Sequence, residues 1–247
     1  MTKPKKPRKD QYVVLEPGEW HWPRNHRQRQ IHVEEAEGEI MNLQQAQQIA
    51  TFFIHLISPA CERAMVCGSV RRQKPEGIHD IEIVAQPKIV LQVSDLFGNE
   101  KPASELETML SDLPKSGHIS LYRDPQGRTC NGEKHKKLLF EGAMIDLYTA
   151  ESGNWGNIVA IRTGNADFSR YLVTPRSKGG LLPSHLRQAD GYLWNGDQRI
   201  ECPTEELFFA ALELDFVEPQ HRNDITAKTL ARKRMSAGMA ISGVVQP

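Results

Sequence analysis

The sequence has no apolar run of eighteen or more residues, the length a helix needs to cross a bilayer, so no membrane partner is expected. The basic opening Met1-Thr2-Lys3-Pro4-Lys5-Lys6 is not followed by the apolar stretch of a secretory signal, which makes a cytoplasmic location the expectation. Cysteine is scarce. Cys61, Cys67, Cys130 and Cys202 show no short paired spacing, which argues for reduced thiols rather than a disulfide framework. Neither they nor the nine scattered histidines form a zinc-ligand pattern, so structural zinc is not expected. Net charge is absent too, with 31 basic residues against 31 acidic ones, which excludes a surface coated in one sign. No internal repeat is visible.

What is present suffices for folding: 247 residues with 39% hydrophobic content can build one large core or two small ones. The charge is unevenly placed. The first thirty residues carry eight basic side chains against three acidic ones, and Lys228, Arg232, Lys233 and Arg234 repeat the bias near the other end. A polyanion would be drawn to such segments in a salt-dependent way, although a solvated extension has the same composition. Residues 1–40 are therefore taken as a basic extension and 224–247 as a basic tail. Trp20 and Trp22 can serve equally as a stacking pair or as an apolar staple.

Periodicity organises the rest. Asn42 suits the N-cap of a helix carrying Ile49, Phe53, Leu56 and Ile57, which must stop before Pro59. Residues 64–67 read as a short buried strand ending at Gly68, and 80–85 as a second with Ile81 and Ile83 on one face. The alternation then puts Asp80 and Glu82 together on the other face. A surface helix is expected over 104–113, then a hairpin with arms 119–122 and 137–140 joined by a turn-rich link, then a strand over 143–149. Beyond Trp155 the pattern becomes helical through Ile158, Ile161, Phe168, Tyr171 and Leu172, with a small sheet element over 192–200. A last helix over 205–214 is capped by Thr204 and packs Leu207, Phe208, Ala211 and Leu212.

The chemistry concentrates in Gly68-Ser69-Val70-Arg71-Arg72, in Asp80-Ile81-Glu82 and, far downstream, in Met144-Ile145-Asp146-Leu147. Carboxylates crowded on one sheet face repel and desolvate one another, so such a cluster is tolerated mainly where cations neutralise it. Magnesium, with manganese as a substitute, is the natural occupant, and two such ions suit in-line phosphoryl transfer. Gly68 permits close backbone approach to phosphate, Ser69 can donate a hydrogen bond, and Arg72 can clamp leaving pyrophosphate.

This order of strand, Gly-Ser, two arginines, acidic pair and later strand acid resembles the nucleotidyltransferase superfamily, and in detail the family X DNA polymerases, the group of polymerase beta. Ile161-Arg162-Thr163-Gly164-Asn165 stands where that family has its aromatic-aromatic-Thr-Gly-Ser turn. Cys202-Pro203-Thr204-Glu205-Glu206 and Glu218-Pro219 with Arg222 resemble the close of its thumb. The resemblance spans roughly residues 42–222. It implies an α+β fold: a polymerase beta-like palm with a mixed sheet and flanking helices over 41–154, then a mostly helical thumb over 155–223. It implies that Asp80, Glu82 and Asp146 hold magnesium, that Asp146 helps deprotonate a primer 3′-hydroxyl, and that Gly68, Ser69 and Arg72 hold the triphosphate. Arg162, Thr163, Gly164 and Asn165 would lie along the incoming sugar and base, with a solvent-facing helix-end charge the alternative for Arg162.

Two departures stand out. The second acid is Glu82 where the polymerases usually have aspartate, and Ile161 with Arg162 replaces the aromatic pair that screens the sugar. Neither the helical lyase domain nor a helix-hairpin-helix glycine pattern precedes Gly68, so the resemblance is to a minimal form. The expected partners are nucleoside triphosphates and primer-template or gapped DNA, with Lys134, His135, Lys136 and Lys137 as candidate DNA contacts. Short-gap filling in DNA repair is the leading expectation. A template-independent transferase and a catalytically silent DNA-end binding module remain the alternatives.

Overall fold

A computed structural model describes residues 40–93, 98–112 and 119–223, all within the unit Glu35–Pro247. The Trp20/Trp22 pair and both basic terminal segments lie outside the described residues. Helix α1 (Leu43–Ile57) starts where expected: the Asn42 side chain accepts from the Gln45 amide at 2.9 Å, and the Gln45 side chain accepts from the Asn42 amide at 3.0 Å. This reciprocal box satisfies two donors that the first turn would otherwise orphan. Ala46, Ala50, Phe53 and Ile57 form its buried stripe.

That stripe packs on a five-stranded sheet. Strands β1 (Cys61–Val66), β2 (Asp80–Pro87), β5 (Ile119–Leu121), β6 (His135–Phe140) and β7 (Ala143–Thr149) lie in the order β1-β2-β7-β6-β5. Only β2 and β7 run parallel, so the sheet is mixed. Ile81, Ile83, Ile145 and Leu147 face α1 and are almost wholly buried. Between β1 and β2 the chain makes the four-residue helix α2 (Gly68–Arg71), a turn of helix where the sequence suggested only a strand end. Helix α3 (Glu105–Asp112) is less superficial than expected, since Leu106 and Leu110 join the core.

A ribbon of β3 (Ile89–Val93) and β4 (Glu100–Ser104) was not legible in the sequence. Its Ile89, Leu91 and Val93 are exposed, so they lack the polar outer alternation that marks a half-buried strand.

A second core gathers the helices α4 (Trp155–Thr163), α5 (Ala166–Val173) and α6 (Glu205–Ala211) with a small sheet. That sheet is β8 (Leu186–Ala189), β9 (Tyr192–Asn195) and β10 (Gln198–Ile200), antiparallel throughout. Thr204 caps α6 as expected, accepting from the Leu207 amide. The packed stripe is a correction: Leu207 is 49% exposed, and Phe209 is fully buried beside Phe208. The helix is two turns long and the chain folds back after Leu212, bringing Phe216 edge-on to Phe209 at 5.6 Å. The core therefore wraps further round α6 than a single stripe. Among the described residues no helix is long and apolar enough to cross a membrane.

Candidate active site

The parallel register of β2 and β7 sets the site. Glu82 pairs with Asp146 and Asp80 with Met144, so the pleat points all three carboxylates away from the apolar core. Asp146 is 3% exposed. Burial raises the Asp80 pKa, and the charge of Asp146 and a hydrogen bond shared with it raise it further, against Lys137 and His79. Only a protonated Asp80 can donate that bond. Burial, then Asp80, pushes Glu82 up to about 7 although Arg72 opposes the shift. Burial is the largest cause of both shifts, and the neighbouring cations among the described residues oppose it without cancelling it.

Around this face the second core contributes a rim. Arg71 donates to Thr163 Oγ1 at 2.8 Å and to Glu205 at 2.5 Å. Arg72 donates to the Thr163 carbonyl and to Asn223 Oδ1, both at 2.7 Å. Asn165 caps α5 through the Phe168 amide and donates to the Asn223 carbonyl. Glu205 in turn meets Arg222 at 2.6 Å, and the wholly buried Arg222 guanidinium lies among the rings of Phe168, Phe209 and Phe216. The arginines of the Gly-Ser segment are therefore fastened to the turn at Thr163, to the first residue of α6 and to Asn223.

On the opposite flank, His135 Nε2 lies 2.7 Å from the accepting Asp146 Oδ1, and Lys137 lies 3.4 Å from Oδ2. His135 stacks on Tyr148 at 4.3 Å and 9°. The Arg162 guanidinium sits 3.8 Å from the centre of the same ring. A ring has two faces, so imidazole and guanidinium must take one each.

The structure brings together Asp80, Glu82 and Asp146, and places Gly68, Ser69, Arg72, Thr163 and Asn165 at the rim. Gly164 ends α4 against Phe168, where a β-carbon has no room. Arg162 is not a solvent-facing helix end, because its guanidinium lies on Tyr148 and acts on Glu82. The Lys134 to Lys137 stretch does not act as a unit, since strand alternation divides it. Lys136 is buried and held by Glu107 at 3.0 Å and Asn131 at 2.8 Å, while the exposed Lys134 lies near Asp190. Tyr148, Arg71 and Glu205 were missed as site residues. Period-two alternation from Asp146 would have pointed to Tyr148, whereas the Arg71–Glu205 contact joins positions too distant for any local pattern.

The four cysteines are free thiols, and burial pushes Cys61 and Cys202 up to about 11 and Cys67 up to about 12. Among the described residues no three His, Cys, Asp or Glu side chains are disposed to hold one metal ion. The Asp146 oxygens are instead directed at His135 and Lys137, and the Glu82 carboxylate is turned toward Gly68. The donor set nevertheless suits a hard cation: it is all oxygen, and Asp80 and Glu82 are both held toward their protonated forms.

No protein-family model matches the sequence, and no curated protein does. The fold is similar to that of Leishmania infantum polymerase beta, solved as a ternary P/T complex. The TM-score is 0.56 over 76% of this chain and 78% of that one, at 12% identity, a likeness of fold. The chain thus has a polymerase beta-like α+β fold.

Proposed function

We propose that this chain is a nucleotidyltransferase, and specifically a DNA-directed DNA polymerase that fills short gaps in repair. The observation that carries the reading is the gathering of three carboxylates on one sheet face, Asp80, Glu82 and Asp146, within a polymerase beta-like fold. Those three carboxylates would hold magnesium, or manganese, which when bound supplies charge neutralisation at the reacting phosphate oxygens. The primer 3′-oxygen attacks the α-phosphorus of a nucleoside triphosphate, and the bond to pyrophosphate breaks. Asp146 draws the hydroxyl proton. Gly68 and Ser69 bound the triphosphate, while Arg72, fixed by two hydrogen bonds, balances its charge. Thr163, Gly164 and Asn165 line the nucleotide, with Arg162 at the edge of the acid face.

The test is extension of a labelled primer on a one-nucleotide-gapped template with magnesium or manganese. Each deoxynucleotide and ribonucleotide is supplied singly, with Asp146→Asn as control. Template-matched extension lost in the control supports the polymerase, and ribonucleotide use would follow from the missing aromatic sugar screen. Addition that ignores the template replaces this reading with a tailing transferase. Binding of DNA ends without any incorporation replaces it with a silent binding module.

A further inference from the structure

Among the described residues Asp146 has a ring nitrogen on it, and that ring is itself gripped from three sides. His135 Nε2 is 2.7 Å from Asp146 Oδ1, its Nδ1 is 3.3 Å from Cys130 Sγ, and its plane lies on Tyr148. Tyr148 is trapped in turn, with Arg162 at 3.8 Å, and is 8% exposed. His135 is paired with Tyr148 across β6 and β7, so the strand register builds the stack into the sheet. Arg162 closes the stack from the last turn of α4, next to Thr163, which holds both Arg71 and Arg72.

Resting on the nucleotidyltransferase reading, we propose that the Arg162–Tyr148–His135 stack is a positioning device for Asp146. Through it, the nucleotide-side turn at 162–165 sets which carboxylate oxygen faces a cation. Oδ1 is held by His135, so Oδ2 is the oxygen left to face a cation and the primer hydroxyl once Lys137, 3.4 Å away, and the hydrogen bond shared with Asp80 yield. Carboxylate ligands are commonly oriented by such outer partners, whose loss typically costs about 10- to 100-fold in metal affinity or activity. His135 then acts on the metal site and not on template backbone.

The experiment is a manganese titration of the full-length protein, free ion being read by electron paramagnetic resonance, with no DNA or nucleotide present. Gap-filling kcat and KM for DNA are measured in parallel. His135→Leu and Tyr148→Leu should each weaken manganese binding by about 10-fold or more and lower kcat, with KM for DNA changed less than about twofold. His135→Gln, which keeps a nitrogen donor near the Nε2 position, should recover part of the loss, and Tyr148→Phe, which keeps the stack, most of it. The His135→Leu/Tyr148→Leu pair should be no worse than the weaker single variant, because both break one device. Melting curves accompany every variant, and should Tyr148→Leu unfold, His135→Leu against His135→Gln decides alone.

Unchanged manganese affinity in a folded His135→Leu overturns the proposal, as does a loss that His135→Gln does not relieve. A rise in KM for DNA with manganese binding intact also overturns it and returns His135 to the template. Wild-type protein that binds manganese in this His135-dependent way but incorporates no nucleotide overturns the polymerase reading and leaves the positioning device standing. Wild-type protein that binds no manganese overturns both.

Discussion

The Glu82 carboxylate occupies the space into which a β-carbon on Gly68 would project. Gly68 also has φ +58°, a backbone conformation that side chains rarely adopt. The glycine of the Gly-Ser pair thus makes room for the second acid as well as for the turn. Gly68→Ala should displace Glu82, destabilise the fold by about 1–3 kcal/mol and abolish most gap filling. Shortening the acid in the Gly68→Ala/Glu82→Asp pair should restore part of the activity but not the backbone strain. Melting temperature and single-turnover extension separate the two effects. Full activity in Gly68→Ala would show that the Glu82 placement is irrelevant to chemistry.

The local part of the acid face was legible in the sequence, whereas the place of Asp146 beside Glu82 is tertiary. Alternation put Asp80 and Glu82 on one face, and the β2–β7 register added Asp146 to that face. The Asn42, Asn165 and Thr204 caps follow from side chains bonding amides three residues on, although only Asn42 and Thr204 were recognised from sequence. The Arg71–Glu205–Arg222 chain was illegible because it is tertiary, and the β3–β4 ribbon because its strands show no buried face. In the lysine stretch, adjacent charges in sequence fall on opposite faces of β6 and end with different partners.

The raised pKa of Glu82 gives a pH signature in metal-free protein. The folded group titrates at about 7 and the unfolded one near its ordinary value of 4.5. Between those values the folded chain holds a proton that the unfolded chain has released, so raising the pH through this window removes stability. Below it both states are protonated, and above it both are ionised. The loss is on the order of 3 kcal/mol at most, and less because Asp80 and Asp146 share the charge. In chelator, the melting temperature should fall from pH 5 to pH 8. Glu82→Gln should flatten that slope, leaving a remainder from Asp80, which is shifted the same way. Magnesium should restore stability most at pH 8, where the acids are ionised. A melting temperature that rises across the window would contradict the crowded-acid account.

Glu205 is a buried carboxylate shared by two arginines, Arg71 at 2.5 Å and Arg222 at 2.6 Å. Removing the shared partner takes the carboxylate from two guanidiniums, one of them with no solvent exposure. Glu205→Ala should therefore cost about 3–5 kcal/mol, and Glu205→Gln less, because an amide oxygen still accepts. Because Arg71 also holds Thr163, nucleotide affinity should weaken in Glu205→Gln even where the protein remains folded. Denaturant melts and nucleotide titration measure the two. A Glu205→Gln protein with lowered stability and unchanged nucleotide affinity would confine the residue to the core.

The face of α6 can be checked by a pair of substitutions that the sequence pattern and the structure rank differently. A stripe reading treats Leu207 and Phe208 as equal core residues, but Leu207 is 49% exposed while Phe208 and Phe209 are fully buried. Leu207→Gln should change stability by no more than about 0.5 kcal/mol, the ordinary range for a surface position. Phe209→Ala should cost about 3–5 kcal/mol through the cavity it leaves. Its ring also faces the buried Arg222 guanidinium at 5.1 Å and meets Phe216 edge-on, so the loss extends to the cation's surroundings. The double variant Phe209→Ala/Glu205→Gln should then depart from additivity, since both residues hold the same arginine. Strict additivity in urea melts would mean that the aromatic cage and the ion pair hold Arg222 independently.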